Sequence, residues 1–282
     1  MHQRHANAIQ RTPEDIRNHY LAEKELADQL RSSRPEKRAS LYLTVYEELF
    51  RRVPSHPLLF RTVTPAHRQK AIGWQLQFLR RFISPSQNFL EVGAGDCALA
   101  LEVAKMAAKV YAIDVSAKLT ESITPPKNFE LRVSDGSSID VPDNTVDVAY
   151  SNQLMEHLHP DDALRHVQEV YRVLKPGGRY VCMTPNRLGG PYDISRHFDT
   201  VATGLHLKEY SVTEAARLFA SVGFGRVQAY VGARGLFVGP PLQLVRVCES
   251  ALEGLPHGFR QSLCDSMPMR PFMMIRLVGT KS

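Results

Sequence analysis

An apolar segment that runs into a glycine turn constrains the fold of this chain more than any other feature. Residues 88–92 read Asn-Phe-Leu-Glu-Val and precede Gly93 and Gly95; a helical segment and a second strand-like segment ending in Asp114 follow. A strand, a glycine turn, a helix and a strand ending in an acid about 20 residues further on form a nucleotide-binding βαβ unit. The glycines let the backbone approach a ligand closely, and the acid is placed to bind a ribose diol.

The glycine turn alone does not identify the ligand. The spacing of Gly93, Gly95 and Ala98 also satisfies the dinucleotide pattern of nicotinamide oxidoreductases. Glu91 argues against that ligand, because a parallel strand covered on both faces is normally apolar at this position. A carboxylate there favours a ligand that carries positive charge.

Further strand-like segments follow, and each has polar residues at its carboxyl end. Residues 129–133 precede Ser134, Asp135 and Gly136, and residues 145–150 precede Ser151 and Asn152. After a helical segment, a Leu-Lys-Pro-Gly-Gly turn leads into a strand over residues 179–184. Strands that alternate with helices predict a doubly wound, mainly parallel sheet.

This ordered series, over residues 89–231, resembles the class I S-adenosylmethionine-dependent methyltransferases. The resemblance implies an α/β fold with a seven-stranded Rossmann-like sheet, S-adenosylmethionine as cofactor, Asp114 on its ribose and Asp135 near its adenine. Cys97 stands where the family usually has a third glycine, and we interpret it as a buried packing residue. The implied cofactor-binding residues are Glu91, Gly93, Ala94, Gly95, Asp114, Val115, Ser134, Asp135, Gly136, Ser151 and Asn152.

Two regions are expected along the chain. Residues 1–84 are interpreted as a mobile tail followed by helices, which begin after caps such as Thr12 and Thr64. These helices either cover the active site as a lid or serve only as a packing extension. Residues 85–282 are the methyltransferase domain, with an insertion at about 232–271. The helix after Thr64 is expected to bury a face that contains Ala71, Trp74, Phe78 and Phe82.

The composition indicates the cellular environment of the protein and limits the binding partners that we expect. No apolar run approaches the ~20 residues of a membrane span, and the first residues lack the apolar segment of a secretory signal. Four cysteines without paired or metal-like spacing predict a reduced, cytoplasmic protein. The net charge of +6 is spread among interspersed acids and bases, so no nucleic-acid partner is expected. Peripheral contact with an anionic membrane surface stays open.

Three histidines are candidates for the catalytic base. His157 follows the fourth strand, and His197 and His206 lie in the long polar segment after the fifth. Parallel sheets bind ligands at the carboxyl ends of their strands, and histidine titrates near neutral pH. Each ring could instead simply fix its loop. No metal is expected, because nothing in the spacing of Glu156, Asp193, His197 and His206 demands one.

The absence of two sequence motifs limits the classes of methyl acceptor that we expect. The fourth strand ends in Ser-Asn-Gln rather than the Asn-Pro-Pro-Tyr type of run found in enzymes that methylate amino groups, and no Pro-Cys dipeptide of the cytosine-C5 enzymes occurs. We therefore expect O-methylation of a small hydroxylated, glycan-type or secondary-metabolite acceptor. A quinone or lipid-like acceptor is the nearest alternative. A nicotinamide oxidoreductase and a non-catalytic binding protein on the same fold are more distant ones.

Overall fold

A computed structural model describes residues 11–60, 64–115, 124–134, 138–233 and 235–282. The mobile-tail prediction falls mostly on residues outside these ranges. The helices are α1 (Pro13–Ser32), α2 (Pro35–Arg52), α3 (Pro57–Phe60), α4 (Pro65–Leu79), α5 (Ala98–Val103), α6 (Pro160–Val173), α7 (Val212–Val222), α8 (Leu242–Glu253) and α9 (His257–Cys264). The strands are β1 (Asn88–Val92), β2 (Lys109–Asp114), β3 (Phe129–Val133), β4 (Val146–Asn152), β5 (Leu174–Pro185), β6 (Phe224–Ala229), β7 (Val231–Ala233), β8 (Leu236–Val238) and β9 (Met274–Lys281).

Seven strands form one mainly parallel sheet, in the order β3-β2-β1-β4-β5-β9-β6. Strands β1 to β5 pair in parallel, and β9 runs antiparallel between β5 and β6. This confirms the predicted Rossmann-like fold. The chain passes from β1 to β2 on one side and returns to β4 on the other, so a crevice forms at the carboxyl end of β1.

The central strands are buried on both faces, which explains why they read as continuous apolar runs. Leu90, Ala149 and Tyr180 face the cluster that includes residues of α6 and α7. Their neighbours Phe89 and Tyr150 face the opposite cluster, with residues of α4 and α5. Successive side chains of a strand point to opposite faces, so one apolar run supplies both layers.

The expected buried face of α4 is wrong in part. Phe78 and Phe82 are buried, but Ala71 is exposed and Trp74 has 60% of its surface exposed. The face that packs on the sheet contains Ile72, Leu76 and Leu79 instead. These positions follow the helical spacing of a single stripe, and Trp74 lies beside that stripe.

Helices α1 and α2 are joined to the rest of the chain by a small apolar core and a buried ion pair. Thr12 and Asp15 form a capping box at the start of α1. Arg38 on α2 donates to both carboxylate oxygens of Asp162 on α6, at 2.6 and 2.9 Å, and both side chains are buried. Tyr42 donates to the same carboxylate at 2.9 Å. The apolar core between α1 and α2 comprises Leu26, Ala27, Leu30, Val45, Leu49, Val53, Leu205 and Leu207.

We expect Arg38→Ala to lower the free energy of unfolding by about 3 kcal/mol, because it leaves the Asp162 carboxylate buried without its cation. Arg51→Ala is the matched control, since Arg51 lies on the same helix and pairs with Glu48 in a solvent-exposed position. The control should change stability by less than about 0.5 kcal/mol. Urea denaturation measures both, and equal effects would show that the buried pair does not anchor the helices.

Candidate active site

The turn after β1 is shaped by glycine backbone conformations. Gly93 has φ +73° and Gly95 has φ +54°, in the left-handed region that glycine adopts without strain. A Cβ at Gly93 would lie 3.3 Å from a methyl group of Leu154, whereas a Cβ at Gly95 would meet nothing within 4 Å. Gly93 is therefore needed for packing, and the space beside Gly95 leaves room for a ligand.

Asp114 fixes the turn from the end of β2. Its Oδ2 accepts the Gly95 N–H at 2.8 Å, and the N–H groups of Gly93 and Ala94 donate to the Ile113 carbonyl at 2.8 and 3.1 Å. A carboxylate can accept about four hydrogen bonds, so the same group can serve both the turn and a ribose. The acid predicted to bind the cofactor also positions the loop that would hold it.

Glu91 is a buried carboxylate with an unsatisfied oxygen. Among the described residues, its Oε2 has no hydrogen-bond partner. Burial, together with the charges of Asp96 and Asp114, raises the pKa of Glu91 to about 8. A buried carboxyl group of this kind ionises when a cationic ligand lies beside it, because the ligand's charge stabilises the carboxylate. The residues present therefore fit S-adenosylmethionine, which carries an ammonium group and supplies an activated methyl group on its sulfonium.

The other predicted cofactor-binding residues do not all lie at the crevice. Ser134 lies at the end of β3 and donates its N–H to the Asp114 carbonyl at 2.9 Å, and Val115 lies half-buried directly after β2. Asn152 ends β4, beside the same crevice. Ser151 is fully buried, and its hydroxyl lies 2.7 Å from the Tyr180 hydroxyl in the core. A cofactor contact from Ser151 would thus come from its backbone. Asp135 and Gly136 lie outside the described residues.

Cys97 occupies a position where glycine would be the usual residue. Its φ is +55°, and its side chain is fully buried at the start of α5. Burial raises the pKa of the thiol to about 12, so it remains protonated and is a poor nucleophile at neutral pH. The packing interpretation agrees with this environment.

Two of the three candidate histidines, His157 and His206, converge with the carboxylate of Glu156. Glu156, His157 and His206 each offer one ligand atom, and these atoms lie within 4.8 Å of one another. The rings of His157 and His206 meet edge to face, with their centroids 4.8 Å apart. We call these three residues the acceptor group. His157 ends a 3₁₀ turn, Met155–His157, directly after β4.

The rings of His157 and His206 are each oriented by a hydrogen bond from Nδ1 to a neighbouring oxygen atom. Nδ1 of His157 lies 3.1 Å from the Leu205 carbonyl, and Nδ1 of His206 lies 2.7 Å from Oε1 of Glu209. Burial lowers the pKa of His157 to about 4. Burial alone would also lower the pKa of His206, but its hydrogen bond to Glu209 and the nearby carboxylates raise it overall.

The third candidate histidine is not part of the acceptor group. His197 is exposed, and its ring lies 6.4 Å from that of Phe198. Arg187, in the same polar segment, forms ion pairs with Glu214 and Glu253. Part of the charge of this segment is therefore neutralised by ion pairs within the protein.

Sequence reasoning missed the residues that orient the acceptor group. Glu209 lies three residues after His206, a spacing that places two side chains on one side of a turn. Tyr46 of α2 brings its hydroxyl to 3.2 Å from Nδ1 of His157, and Glu23 of α1 accepts the Leu205 N–H at 2.9 Å. These last two contacts join residues more than 100 positions apart, so no local pattern indicates them.

Comparison with known proteins identifies the class. A family profile for a methyltransferase domain matches residues 90–182. A protein of Mycolicibacterium smegmatis that is named a probable S-adenosylmethionine-dependent methyltransferase is 30% identical over 139 residues, which are 49% of this chain and 52% of the relative. A demethylmenaquinone methyltransferase of Symbiobacterium thermophilum is 29% identical over 156 residues, which are 51% of this chain and 61% of the relative. The chain thus spans little more than half the length of these curated relatives.

The fold is shared with solved structures. A methyltransferase structure from Thermotoga maritima aligns with a TM-score of 0.51 at 17% identity, over 86% of this chain and 96% of that one. This likeness shows a shared fold. The family profile and the named relatives show that residues 90–182 carry a domain similar to the S-adenosylmethionine-dependent methyltransferases. S-adenosylmethionine is the cofactor of that class. Among the described residues, no helix has the length and apolar character needed to cross a membrane.

Asp114→Ala should weaken the binding of S-adenosylhomocysteine by about 1–3 kcal/mol, because it removes both the predicted ribose contact and the bond that fixes Gly95. Isothermal titration calorimetry gives the affinity. Asp143→Ala is the control, since Asp143 lies before β4, at the opposite edge of the sheet, and pairs with Arg172 in a mostly exposed position. Equal affinity for wild type and Asp114→Ala would show that the ribose lies elsewhere.

Glu91 should lose its proton when the cofactor binds. Because the pKa of Glu91 is about 8 without ligand, the group is mostly protonated at pH 7, and an adjacent ammonium group would ionise it. Binding of S-adenosylhomocysteine at pH 7 should therefore release up to about one proton. Calorimetry in buffers of different ionisation enthalpy measures this number. The release should vanish at pH 9.5 and in Glu91→Gln; identical heats in all buffers for wild type at pH 7 would contradict the assignment.

Proposed function

We propose that this protein transfers a methyl group from S-adenosylmethionine to an oxygen atom of a small hydroxylated acceptor. The observation that carries the proposal is that Glu156 and His157 follow β4, the strand that pairs with β1, and that His206 converges with both of them. Strands β1 and β4 pair in parallel, with Val92 opposite Ser151, so both segments leave the sheet at the same edge. Leu154 lies between them, in contact with the Gly93 position.

Positioning supplies most of the rate enhancement in this proposal. The transferred carbon is already activated by the sulfonium, so the chain must chiefly hold the acceptor oxygen in line with it, an effect worth about 7–11 kcal/mol. The bond between carbon and sulfur breaks as the bond between carbon and the acceptor oxygen forms. The role of Glu156, His157 and His206 is to bind the acceptor hydroxyl and to favour the loss of its proton.

Helices α1 and α2 act as the lid over this site. Tyr46 of α2 contacts His157, and Glu23 of α1 holds the backbone of Leu205 next to His206. The apolar core that these helices share with Leu205 and Leu207 keeps water from this side of the acceptor group. Residues 1–84 then serve catalysis as well as packing, and residues 85–282 carry the methyltransferase domain.

A reduced quinone is the second candidate acceptor. The relative from Symbiobacterium thermophilum is named as a demethylmenaquinone methyltransferase, and its similarity covers half of this chain. A reduced quinone carries phenolic hydroxyls, which the acceptor group could bind in the same way. Methylation would then occur at ring carbon rather than at oxygen. A lipid-like acceptor has weaker support, because Leu236 and Val238 of the short apolar strand β8 are exposed rather than part of an enclosed pocket.

Substitutions in the acceptor group should separate catalysis from cofactor binding. We expect His157→Ala and His206→Ala to lower kcat by about 10²-fold or more, with unchanged affinity for S-adenosylhomocysteine. Turnover is measured as release of S-adenosylhomocysteine with catechols, flavonoids, glycosides and reduced quinones as acceptors. Mass spectrometry and NMR of the product distinguish O-methylation from C-methylation.

Two control variants sharpen this experiment. His159 lies two residues after His157 and only caps α6 through its Nδ1, so His159→Ala should retain turnover. His197→Ala should behave similarly, because His197 is exposed and outside the acceptor group. Losses of equal size in all four variants would exclude a specific role for His157 and His206.

A further inference from the structure

We propose that the acceptor group, Glu156, His157 and His206, is a binding site for a divalent transition-metal ion such as Zn²⁺ or Mn²⁺. This inference departs from the sequence-based expectation of no metal. It deepens the proposed function and rests on it in one respect, because the ion would hold the acceptor oxygen at the place already assigned to it.

The donor set matches this class of ion. Two imidazoles and one carboxylate bind Zn²⁺ in hydrolytic enzymes and bind other first-row divalent metals in mononuclear sites. The three candidate ligand atoms lie within 4.8 Å of one another, although they come from the segment after β4 and from the segment before α7. Mg²⁺ and Ca²⁺ prefer sites made of oxygen ligands, so two imidazoles disfavour them.

Glu156 supplies the independent observation that points to a cation. The residue is fully buried, and its Oε2 accepts the Thr184 hydroxyl at 2.8 Å. Within the described part of the chain, its Oε1 is buried without a hydrogen-bond partner. An unsatisfied carboxylate oxygen in the interior is costly, and a bound cation would remove that cost.

The hydrogen bonds of the two imidazoles leave one nitrogen of each ring free for coordination. A backbone carbonyl can only accept, so the contact between Leu205 O and His157 requires the proton on Nδ1. The carboxylate of Glu209 imposes the same tautomer on neutral His206. In both rings Nε2 then carries the lone pair. Metal-binding histidines typically donate their other N–H to a carbonyl or carboxylate in this way.

A second trio of potential ligands, His19, Glu23 and His56, is less suitable. Its ligand atoms also lie within 4.8 Å of one another. However, Nδ1 of His56 accepts the Leu58 N–H at 3.2 Å, which places the proton of the neutral ring on Nε2. Both oxygens of Glu23 are engaged, one by the Leu205 N–H and the other by His19 at 2.8 Å. Nδ1 of His19 likewise accepts from Arg11 at 3.0 Å, so both neutral rings of this trio carry their proton on Nε2 and neither has a free lone pair for an ion.

The ion would ionise the acceptor. Three protein ligands leave at least one coordination position open, which an acceptor hydroxyl can occupy. Coordination lowers the pKa of a bound hydroxyl, as it does for bound water, and the released proton passes to solvent. The acceptor oxygen held there would form a bond with the methyl carbon as the bond between that carbon and the sulfonium sulfur breaks, and the sulfur would leave as a neutral thioether. Charge and atoms balance, because one sulfonium and one hydroxyl give an ether, a thioether and a proton.

The test is metal binding by the full chain, produced without a polyhistidine tag and stripped with EDTA. Calorimetric titration with ZnCl₂ and with MnCl₂ should show one site for at least one of the two ions, and Co²⁺ should give a visible absorption spectrum of a site with nitrogen ligands. Glu156→Gln and His206→Ala should weaken binding at least tenfold. Affinity for S-adenosylhomocysteine reports whether each variant is folded.

His56→Ala is the matched control, because it alters the rival trio and leaves the acceptor group intact. Retained metal binding in this variant supports the proposal. The proposal is overturned if folded wild-type protein binds neither ion stoichiometrically, or if the loss occurs in His56→Ala but not in His206→Ala.

Methyl transfer by stripped protein, with and without added MnCl₂ or ZnCl₂, separates the two claims. Full transfer without metal overturns the role of the ion in holding and ionising the acceptor, and it leaves the proposed function standing. Stoichiometric binding that depends on Glu156 and His206, without methyl transfer to any acceptor, supports the metal site and contradicts the proposed function.

Discussion

The parallel pairing of β1 with both β2 and β4 is the constraint on which the candidate site depends. Parallel strands end at the same edge of a sheet, so the glycine turn, Asp114 and the segment that carries His157 leave the sheet together. The hydrogen bond from Gly95 N–H to Asp114 then fixes the turn, and Leu154 packs against the Gly93 position. The cofactor turn and the segment that carries Glu156 and His157 are therefore positioned by the same three strands.

The acceptor side requires a second set of contacts, because His206 lies far from β4 in sequence. Leu205 and Leu207, on either side of His206, are buried in the apolar core of α1 and α2. The ion pair between Arg38 and Asp162 holds α2 against α6, the helix that directly follows His157. Stability of the N-terminal helices and geometry of the acceptor group are thus coupled through one continuous network of packing.

The segment between β6 and β9 is held in a comparable way. Glu249 of α8 accepts the N–H groups of Val212 and Thr213 at 2.7 and 2.9 Å, at the amino end of α7. A buried carboxylate at this position satisfies free backbone donors and complements the helix dipole. Helix α8 is therefore attached to the helix that follows the segment carrying His206.

The sequence predicts the sheet and the cofactor turn well, because both depend on local patterns. Gly93, Gly95 and Asp114 lie within one βαβ unit, where spacing alone determines their proximity. The acceptor group depends on contacts between distant segments, so His157 and His206 could be nominated but not paired. Ser151 and Trp74 illustrate the same limit. The alternation of a strand and the spacing of a helix predict which residues share a face, but they do not predict which other element packs against that face.

The crystal structure of the complex with S-adenosylhomocysteine tests the central claim most directly, because it locates the cofactor relative to the acceptor group. We predict that the ribose hydroxyls bind Asp114, that the amino group lies near Glu91, and that the sulfur faces Glu156, His157 and His206. A complex in which the sulfur points away from these three side chains, or in which the ribose makes no contact with Asp114, would contradict the account.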